Sequence, residues 1–485
     1  MGRKICIIAI IFIGGCTLGP RYELPETPVP SEWKSTPTDS EETAEFEFWW
    51  EVFEDETLSE LEEMVIDHNP DLYVALERVV EARAVAGVSK ADLYPELSLN
   101  PSYDNIGELI ELFGLPTGII PGLRPIVRVH ETYYELPLTM NYEVDLWGKF
   151  RGQYKSASFE ADSLAEAFRG TLLTLTSDLA SNYFNMCIMD TQIELMEEIV
   201  LLRNESLRLS RARFKAGLVD YREVMDAEQN FSNSEAEMED LKRQRTLFEN
   251  AIAVLIGLPA SNFCSQSNPL QQDPPQIPAG VPSTILIQRP DIAQAERKMA
   301  SLHAMIGVAY SSFFPALKLT GAIGSLSTEL SDFLTWKSRL WRMGVDIIQT
   351  IFDGGKRRSH LDAAWARFRE TQGSYLKTVL AAFQETEDAL NNVDQQRREW
   401  EKLDKAYEAA EIRASLSEKR YEKGIANLLE VIENRRLEID ALREQMNVLG
   451  LQYQSTVQLI KALGGDWQVH EDLLQPSSEE SPCSC

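Results

Sequence analysis

The chain has 485 residues, a formal net charge of −29 and a hydrophobic fraction of 44%, so it is long enough for two or three ordinary domains. Nucleic acid is not an expected partner, because phosphate contacts need clustered Lys and Arg side chains. An acidic surface instead suits a soluble exterior or a path for cations.

The N-terminus predicts a targeting signal over residues 1–15. Basic residues precede a short apolar run at 5–13, which is too short for a membrane helix of ~20 residues. The run ends in Ile-Gly-Gly-Cys, which resembles a bacterial lipobox, so we expect cleavage before Cys16 and a lipid on its thiol. Thr17 follows rather than Asp, and in bacterial lipoproteins this choice implies passage to the outer membrane. An ordinary secretory signal with a chance cysteine is the alternative.

The other cysteines show neither a disulfide framework nor metal-ligand spacing with the five histidines. No cofactor is therefore expected apart from the covalent lipid on Cys16. Residues 468–485 form a C-terminal tail that is predicted to be disordered. Capture of a metal by Cys483 and Cys485 in that tail is the alternative.

Residues 16–57 are predicted to form an extended, lipid-anchored arm. Pro, Thr, Ser and Glu are frequent there, and no core element is indicated. Helical patterning begins near Leu58 and ends before Pro95, because proline stops a helix. This helix opens a first structural repeat, which we expect to cover 58–258.

A strict period of two follows from Glu135 to Leu146, over 12 residues. The even positions are Leu136, Leu138, Met140, Tyr142, Val144 and Leu146, and the odd positions are Glu135, Pro137, Thr139, Asn141, Glu143 and Asp145. This alternation predicts a β-strand with one apolar and one polar face. Its length suits a tilted transmembrane strand of ~9–11 residues. The strand belongs to a predicted β-hairpin at about 97–146, whose loop runs from about Asn105 to His130.

The chain path is repeated. Two motif pairs show displacements of 220 and 207 residues, namely Asn69-Pro70-Asp71-Leu72 with Arg289-Pro290-Asp291-Ile292 and Gly217-Leu218 with Gly424-Ile425. A repeat of about 200 residues is too long for a solenoid unit and predicts a duplicated domain. The remaining predicted parts are a Pro-rich linker at 259–283, a second repeat at 284–467, and its β-hairpin at about 316–352 with a loop from about Leu326 to Arg339.

Two long stretches, about 151–216 and 356–423, contain no proline and predict helices of ~100 Å. The helices that return from them carry hydrophobic residues with alternating spacings of four and three, which predicts coiled-coil packing. A long amphipathic core helix is the alternative. Phosphate binding by Gly354-Gly355-Lys356 is not favoured, since the wider glycine-rich loop is missing.

Taken in order, these motifs resemble those of the TolC-like outer-membrane efflux proteins. Within that family the chain resembles the lipid-anchored subgroup that serves resistance-nodulation-division drug pumps. The motifs that carry the resemblance are the lipobox at Cys16, Gly19-Pro20-Arg21-Tyr22, Trp49-Trp50, the two motif pairs above, Tyr94-Pro95, Phe314-Pro315, Asp145-Leu146-Trp147-Gly148-Lys149, Phe352-Asp353-Gly354-Gly355-Lys356 and Ala462-Leu463-Gly464-Gly465-Asp466-Trp467.

The resemblance implies a mixed α and β membrane protein that assembles as a homotrimer. Four β-strands per chain would close a 12-stranded barrel, and the long helices would form a periplasmic α-barrel. Four strands cannot close a barrel alone, and lipid cannot satisfy open sheet edges. Odd residues such as Glu143 and Thr139 would then face the lumen, and even residues such as Leu138 and Val144 the outer-membrane lipid.

The resemblance also implies a periplasmic adaptor protein and an inner-membrane transporter as partners. The adaptor would contact the hairpin tips at Gly217, Leu218, Gly424 and Ile425. Helix-terminating glycines are the alternative explanation of these turns, and this role does not exclude contact.

Family members carry paired acids that line a closed aperture, and Glu430 with Glu433 matches that place. The spacing of three puts both carboxylates on one side of a helix, and threefold symmetry would turn them into rings that favour cations. The family often has aspartates there, and a solvated face is the alternative. Two arginines near the tips are hypothesised to pair with acids of neighbouring helices and to hold the entrance shut. The candidate aperture residues are Glu430, Glu433, Glu223, Asp226, Arg213 and Arg420.

The implied function is that of a passive exit duct in a tripartite efflux pump for drugs or other small toxic compounds. One alternative is a duct for type I protein secretion, against which the lipobox argues, since secretion members are commonly not acylated. A second is a periplasmic coiled-coil scaffold, which would have no membrane strands. An enzyme is the third, but no nucleophile–base pairing or metal cluster is indicated.

Overall fold

A computed structural model describes residues 19–34, 48–111, 126–270, 272–278 and 282–465. The predicted lipidation site Cys16 and the predicted tail at 468–485 lie outside the described residues. The α-helices are α1 (Glu56–His68), α2 (Pro70–Ala91), α3 (Lys149–Lys215), α4 (Tyr221–Leu255), α5 (Pro282–Gln288), α6 (Pro290–Ser311), α7 (Lys356–Glu422) and α8 (Leu428–Leu463). The β-strands are β1 (Glu96–Leu99), β2 (Ser102–Glu111), β3 (Ile126–Val144), β4 (Ala316–Ser327) and β5 (Arg339–Ile348).

The helices confirm the duplicated half-repeat. Helices α2 and α6 both have 22 residues and begin 220 positions apart, at Pro70 and Pro290. Helices α3 and α7 both have 67 residues and begin 207 positions apart, at Lys149 and Lys356. Both displacements match those of the sequence motifs, so the repeat is a repeat of structure as well as of sequence.

The chain divides into two compact units, which are described separately. The first contains Met1–Leu24, Glu81–Ala161 and Arg297–Gln372, and the second contains Pro25–Val80, Asp162–Glu296 and Gly373–Cys485. All five strands belong to the first unit, and helices α4 and α8 belong to the second. Within the described ranges, no helix combines the length and the apolar character needed to cross a membrane.

The sheet of the first unit is antiparallel, with β3 and β4 in its centre. Strands β1 and β2 pair with the same side of β3 in one continuous register, with Leu99 opposite Leu138 and Ser102 opposite Glu135. Pro101 lies in the gap between them and has no N–H to donate to the ladder. The five strands therefore occupy the four positions that the sequence predicts.

The first hairpin differs from its prediction. The predicted loop from Asn105 to His130 is wrong, because β2 continues to Glu111 and β3 begins at Ile126. The polar and Gly-containing residues of this stretch pair across the hairpin, with Gly107 opposite His130. Backbone pairing tolerates residues that weaken the alternation pattern, so the sequence signal ends before the strand does. The second loop agrees with its prediction, since β4 ends at Ser327 and β5 begins at Arg339.

The two faces predicted for β3 continue across the sheet. On the apolar face, Leu138 lies opposite Ile323, which lies opposite Trp341. On the polar face, Glu143 lies opposite Lys318, which lies opposite Asp346. Side chains at alternate positions of neighbouring strands share a face, so the register extends the alternation to the whole sheet. Which face meets lipid stays a prediction.

Helix α8 of the second unit lies between α3 and α7. The Gln454 side chain donates to the Ser181 carbonyl of α3 at 2.8 Å, and the Gln445 side chain donates to Asp404 of α7 at 2.8 Å. Gly450 allows close approach to α3, because a Cβ there would lie 2.2 Å from the Ile188 side chain. Along α8, many residues at the spacings of four and three that predict a coiled coil are buried, among them Ile432, Ile439, Leu449, Tyr453, Thr456, Ile460 and Leu463.

The Asn-Pro-Asp and Arg-Pro-Asp motifs have equivalent structural roles in the two half-repeats. The Asn69 side chain donates to the Leu255 carbonyl at the end of α4 at 2.7 Å. The Arg289 guanidinium donates to the Ala462 carbonyl at the end of α8 at 2.8 Å. Leu255 and Ala462 are 207 residues apart, so both motifs satisfy the same terminal carbonyl of a returning helix.

Two glycines allow the chain to pack closely at the helix ends held by Asn69 and Arg289, which we call the two helix anchors. Gly257 has φ 75°, and a Cβ there would lie 2.5 Å from the His68 carbonyl oxygen. Gly464 has φ 106°, and a Cβ there would lie 2.9 Å from the Gln288 carbonyl oxygen. Both positions need positive φ and close backbone approach, which only glycine accommodates without strain. The motifs are therefore explained by packing and need no binding function.

The N-terminal segment contributes more to the core than the sequence predicts. In the first unit, the Tyr22 ring packs edge-on against His303 with centroids 5.4 Å apart. In the second unit, Trp33 is buried against Phe383, and the Trp49 indole donates to the Thr176 hydroxyl at 3.2 Å. The sequence did not predict these contacts, because isolated aromatic residues in a polar segment show no periodic pattern.

Candidate functional site at the tips of the helical hairpins

Both helical hairpins end in the same turn. Gly217 has φ 72°, its N–H donates to the Phe214 carbonyl at 2.9 Å, and the Leu218 N–H donates to the Arg213 carbonyl at 2.9 Å. This pair of bonds is a Schellman motif, which satisfies the last carbonyls of a helix. The predicted turn at Gly217-Leu218 therefore lies at the end of α3.

The second turn repeats this geometry at the end of α7. Gly424 has φ 71°, and its N–H donates to the Tyr421 carbonyl at 2.8 Å. The Ile425 N–H donates to the Arg420 carbonyl at 2.8 Å. The returning helix then begins with Asn427 as N-cap, whose side chain accepts from the Glu430 N–H at 2.9 Å.

The tips expose apolar surface. Leu218 is 72% exposed and Ile425 is 66% exposed. The neighbouring Tyr221 and Tyr421 are also exposed. Each tip therefore presents an aliphatic and an aromatic side chain on a turn that its backbone bonds hold in place, and such residues are suited to contact with another protein.

The two predicted arginines form equivalent ion pairs within their own hairpins. Arg213 contacts Glu223 with Nη1 and Oε1 2.8 Å apart, and Arg420 contacts Glu430 with the same atoms at 2.8 Å. Each pair joins the last turn of the outgoing helix to the first turn of the returning helix. The pairs are half-exposed, so each stabilises its turn by roughly 1 kcal/mol at most.

The acids one turn further along differ between the hairpins. Glu433 contacts Arg436 at 2.6 Å, and Arg203 of α3 lies 3.7 Å from its other carboxylate oxygen. The hydrogen bond from Arg436, assisted by the positive charge of both arginines, lowers the pKa of Glu433. Burial and the neighbouring Arg436 lower the pKa of Arg203. Glu433 is therefore an ionised carboxylate that links the second hairpin to α3.

Asp226 is the counterpart of Glu433 in the first hairpin, 207 residues earlier. Its side chain is exposed. The position that matches Arg436 holds Gln229, and the position that matches Arg203 holds Ala410. The structure therefore pairs Glu223 and Glu430 with the predicted arginines, ties Glu433 to two further arginines, and leaves Asp226 at the surface.

Sequence reasoning missed Arg203 and Arg436. The spacing of three between Glu433 and Arg436 is a helical signal that points to the second of these residues. Arg203 lies 230 positions before Glu433, and periodicity in one helix does not identify a partner on another helix. Around these residues, Arg435 of α8 also reaches Glu198 of α3 at 3.1 Å.

The described residues contain no group of three or more His, Cys, Asp or Glu side chains arranged to hold a metal ion. Cys187 is buried and Cys264 is exposed, and both are free thiols. The chemistry at the tips is thus that of ion pairs, capped helix ends and exposed apolar side chains.

Comparison with known proteins agrees with this architecture. The family described as "Outer membrane efflux protein" matches residues 61–258 and 281–465. The solvent efflux pump outer membrane protein SrpC of Pseudomonas putida is 27% identical, over 97% of this chain and 99% of that protein. The probable outer membrane lipoprotein SilC of Salmonella typhimurium is 26% identical, over 96% of this chain and 99% of that protein.

A solved structure shows the same fold. The outer-membrane channel OprN superposes with a TM-score of 0.82 at 26% sequence identity, and the match covers 93% of this chain and 100% of that chain. The fold is that of the TolC-like channels, and the protein is located in the bacterial outer membrane. It is a channel protein and not an enzyme. From the two matched halves and the shared fold, we conclude that this chain belongs to the outer membrane efflux protein family.

Proposed function

We propose that three copies of this chain form the exit duct of a tripartite efflux pump, through which drugs or other small toxic compounds leave the periplasm passively. A periplasmic adaptor contacts the hairpin tips, and an inner-membrane transporter supplies the compounds. One observation supports this proposal most strongly. Each half-repeat has a surface that is exposed in the single chain, and the equivalent surface of the other half-repeat is covered by the chain itself.

Among the helices, the uncovered surfaces lie on α4 and α7. Within the chain, α8 of the second half packs on α3 of the first half. The equivalent neighbour of α4 is α7, which must come from another copy. Apolar residues at this junction are exposed in the single chain, as expected for an unfilled contact. They include Leu247 and Val254 on α4, Leu258 just beyond its end, and Leu376 and Leu380 on α7.

The repeat displacement predicts individual contacts across this junction. The Arg435–Glu198 ion pair between α8 and α3 corresponds to Glu228 of α4 and Lys405 of α7 in the next copy. The charges are exchanged, but the pairing is kept. Likewise, a Cβ at Gly465 would touch Leu173, and the equivalent positions hold Leu258 and, in the next copy, Leu380, an apolar pair.

The sheet follows the same rule. Strands β3 and β4 pair within the chain; the counterpart of β3 is β5, and the counterpart of β4 is β1 together with the first part of β2. Leu138 of β3 lies opposite Ile323 of β4. Moving Leu138 forward by 207 residues and Ile323 back by 220 places Val345 opposite Tyr103 of the next copy. Both side chains are exposed and belong to the apolar face. Three copies with four strand positions each then close a 12-stranded barrel without free edges.

Cys16 is the proposed lipid anchor. A lipid there contributes roughly 0.8 kcal/mol per buried methylene to membrane binding. Intact-mass measurement of the purified protein should show an N-terminus at residue 16 carrying acyl chains. A Cys16→Ala variant that keeps its signal residues supports the assignment, whereas an unmodified N-terminus after residue 16 contradicts it.

An accumulation assay tests the transport function. The protein is expressed, with adaptor and transporter genes of an efflux pump, in a strain that lacks outer-membrane ducts. We expect lower intracellular accumulation of a fluorescent cationic dye than in cells with the vector alone. Unchanged accumulation with a correctly inserted protein contradicts the proposal. Export of a secreted polypeptide without any dye export supports the protein-secretion alternative.

The gate proposal is tested separately at the tips. We propose that the Arg420–Glu430 pair helps to keep the entrance narrow. The variant Arg420→Glu should raise leakage of a large antibiotic into cells, because it places two carboxylates within one turn. Arg213→Glu is the matched variant of the first hairpin. If Arg420→Glu leaves both conductance and leakage unchanged, the gate proposal is wrong.

A further inference from the structure

Strand β5 carries a column of exposed side chains on the apolar face of the sheet, and this column ends beside the loop between β4 and β5. Residues at alternate positions of a strand share one face, and the odd positions of β5 run from Ile347 through Met343 and Trp341 to Arg339. Met343 is 84% exposed and Trp341 is 76% exposed. An arginine therefore ends a column of apolar residues directly beyond a tryptophan.

The Arg339 side chain is held in place by the loop before β5. Its Nε donates to the Trp336 carbonyl at 2.9 Å, and its guanidinium carbon lies 3.0 Å from the centroid of the Trp336 ring. The loop is itself ordered, because Thr335 Oγ1 donates to the Asp332 carbonyl at 2.8 Å and the buried Ser338 hydroxyl donates to the same oxygen. The guanidinium is stacked, and none of the described residues accepts a hydrogen bond from its two terminal nitrogens, which can donate to an external acceptor.

Among the residues that the structure describes, no negative charge compensates Arg339. No described carboxylate lies within ion-pair distance of Arg339, whereas two arginines near the opposite end of the sheet are paired. There, Arg151 contacts Asp145 at 3.0 Å and Arg357 contacts Asp353 at 2.7 Å. This difference is notable in a chain with a net charge of −29, where carboxylates are abundant.

The apolar side chains around Arg339 are also highly exposed. Leu334 is 80% exposed and Trp336 is 76% exposed, and Lys337 lies between Trp336 and Arg339 in sequence. Tryptophan with Lys or Arg is the combination that proteins place at the boundary between lipid chains and headgroups. A soluble anion would not contact the leucine and the tryptophans. A lipid can contact these side chains with its acyl chains and the arginine with its headgroup.

We propose that Arg339, stacked on Trp336 and supported by Lys337, binds a phosphate group of an outer-leaflet lipid, whose acyl chains lie against Trp341 and Met343. The guanidinium offers two parallel N–H donors, which match two phosphate oxygens. The inference rests on the membrane-spanning role of the sheet, and it names the lipid chemistry at one of its ends.

The experiment measures lipid retention by the full-length protein in neutral detergent with native mass spectrometry. The probe is lipid A, compared with the same glycolipid after removal of its phosphates. Arg339→Gln should weaken lipid A binding about fivefold, the ratio expected for one basic side chain at an anionic membrane surface. Arg342→Gln is the matched control, because Arg342 lies on the same strand but on the opposite face, and it should leave binding unchanged.

Further arms separate the outcomes. Inorganic phosphate at millimolar concentration should not displace lipid A; complete displacement would show a site for the free anion and overturn the proposal. Equal retention of both glycolipids, or equal effects of the two arginine variants, would also overturn it. A fluorescent label on a Met343→Cys variant reports the orientation of the face independently, because nitroxides attached to lipid chains quench a label that faces the membrane. Quenching by lipid-chain reagents without any Arg339 effect contradicts the phosphate site alone, and no quenching contradicts the membrane orientation.

Discussion

Helices α4 and α8 occupy equivalent places in the two half-repeats but have different surroundings. Helix α8 is covered by α3 and α7 and buries residues along most of its length. Helix α4 buries fewer positions, among them Val224, Leu241 and Ile252, and it exposes Leu247 and Val254. The two equivalent helices therefore differ in coverage: α8 lies against both α3 and α7, whereas α4 packs on α3 and meets α8 at the Arg443–Glu237 ion pair. Exposed apolar residues on α4 are best explained as half of a contact with another copy.

The acids near the tips show a second difference of the same kind. Glu433 is tied to α3 through Arg203 and Arg436, while Asp226 is exposed. If three copies form a ring, every second junction between hairpins is intramolecular and carries this arginine network. The junctions between copies lack it. The proposed duct is thus threefold in symmetry, with two kinds of hairpin junction that are expected to open with different ease.

The largest effect is expected from charges on the uncovered face of α4. The double variant Leu247→Asp and Val254→Asp should abolish trimer formation, because burial of two unpaired carboxylates costs several kcal/mol per junction. Light scattering coupled to size-exclusion chromatography measures the oligomeric state. Thr246→Asp, at the exposed position beside Leu247, is the control and should remain a trimer. A trimeric double variant would contradict the proposed junction.

The two helix anchors should differ in strength. Arg289→Ala removes a charged hydrogen bond to the Ala462 carbonyl, which keeps only the weaker bond from Thr386 Oγ1 at 3.3 Å, and it removes two partly exposed ion pairs, with Asp291 and Glu385. We expect a loss of about 3 kcal/mol in the free energy of unfolding. Asn69→Ala removes a cap and one hydrogen bond and should cost about 1–2 kcal/mol. Urea unfolding followed by circular dichroism compares them. A larger loss for Asn69→Ala would show that the two motifs are not equivalent anchors.

A smaller effect is expected from neutralising the two acids beyond the tips. Glu433→Gln removes the carboxylate that Arg203 and Arg436 share and should lower stability by roughly 1 kcal/mol, since the pair is half-exposed. Asp226→Asn should change stability by less than about 0.5 kcal/mol, as for other exposed positions. Thermal unfolding of the two variants side by side measures the difference. Equal melting temperatures would remove the distinction between the two hairpins.

The smallest expected effect is a pH dependence of the stability difference between the native chain and Glu433→Gln. The folded-state pKa of Glu433 is lowered from 4.5, so its contribution to stability is complete above pH 4.5 and is lost as the pH falls through the lowered value. The gap in melting temperature between the native chain and Glu433→Gln should therefore be constant from pH 6 to 8 and close in more acidic buffer. A gap that widens with acid would mean that Glu433 is not stabilised by the arginines.

Patterns with a short period predicted most of this architecture. The alternation from Glu135 to Leu146 identified a strand, and the repeated turns at Gly217 and Gly424 fixed the ends of both long helices. The part of the first hairpin that alternation could not follow is held by backbone pairing, as at Gly107 and His130. Local patterns carry strand and helix signals, but they fade where backbone bonds rather than side chains determine pairing.

The candidate site was predictable only in part for a related reason. The sequence supplied Arg420 and Glu430, which are ten residues apart and meet across one turn. It did not supply Arg203, which meets Glu433 only after two separate hairpins pack together. Contacts between distant segments depend on the register of helix packing, and a single sequence does not contain that register in readable form.

The conductance of the purified protein in a planar lipid bilayer tests the central claim most directly. If the chain forms the proposed duct, trimers should insert and show discrete, uniform conductance steps with a preference for cations over anions, as expected from carboxylates near the aperture. A correctly folded trimer in the outer membrane that shows no conductance, in the native chain and in Arg420→Glu alike, would contradict the account.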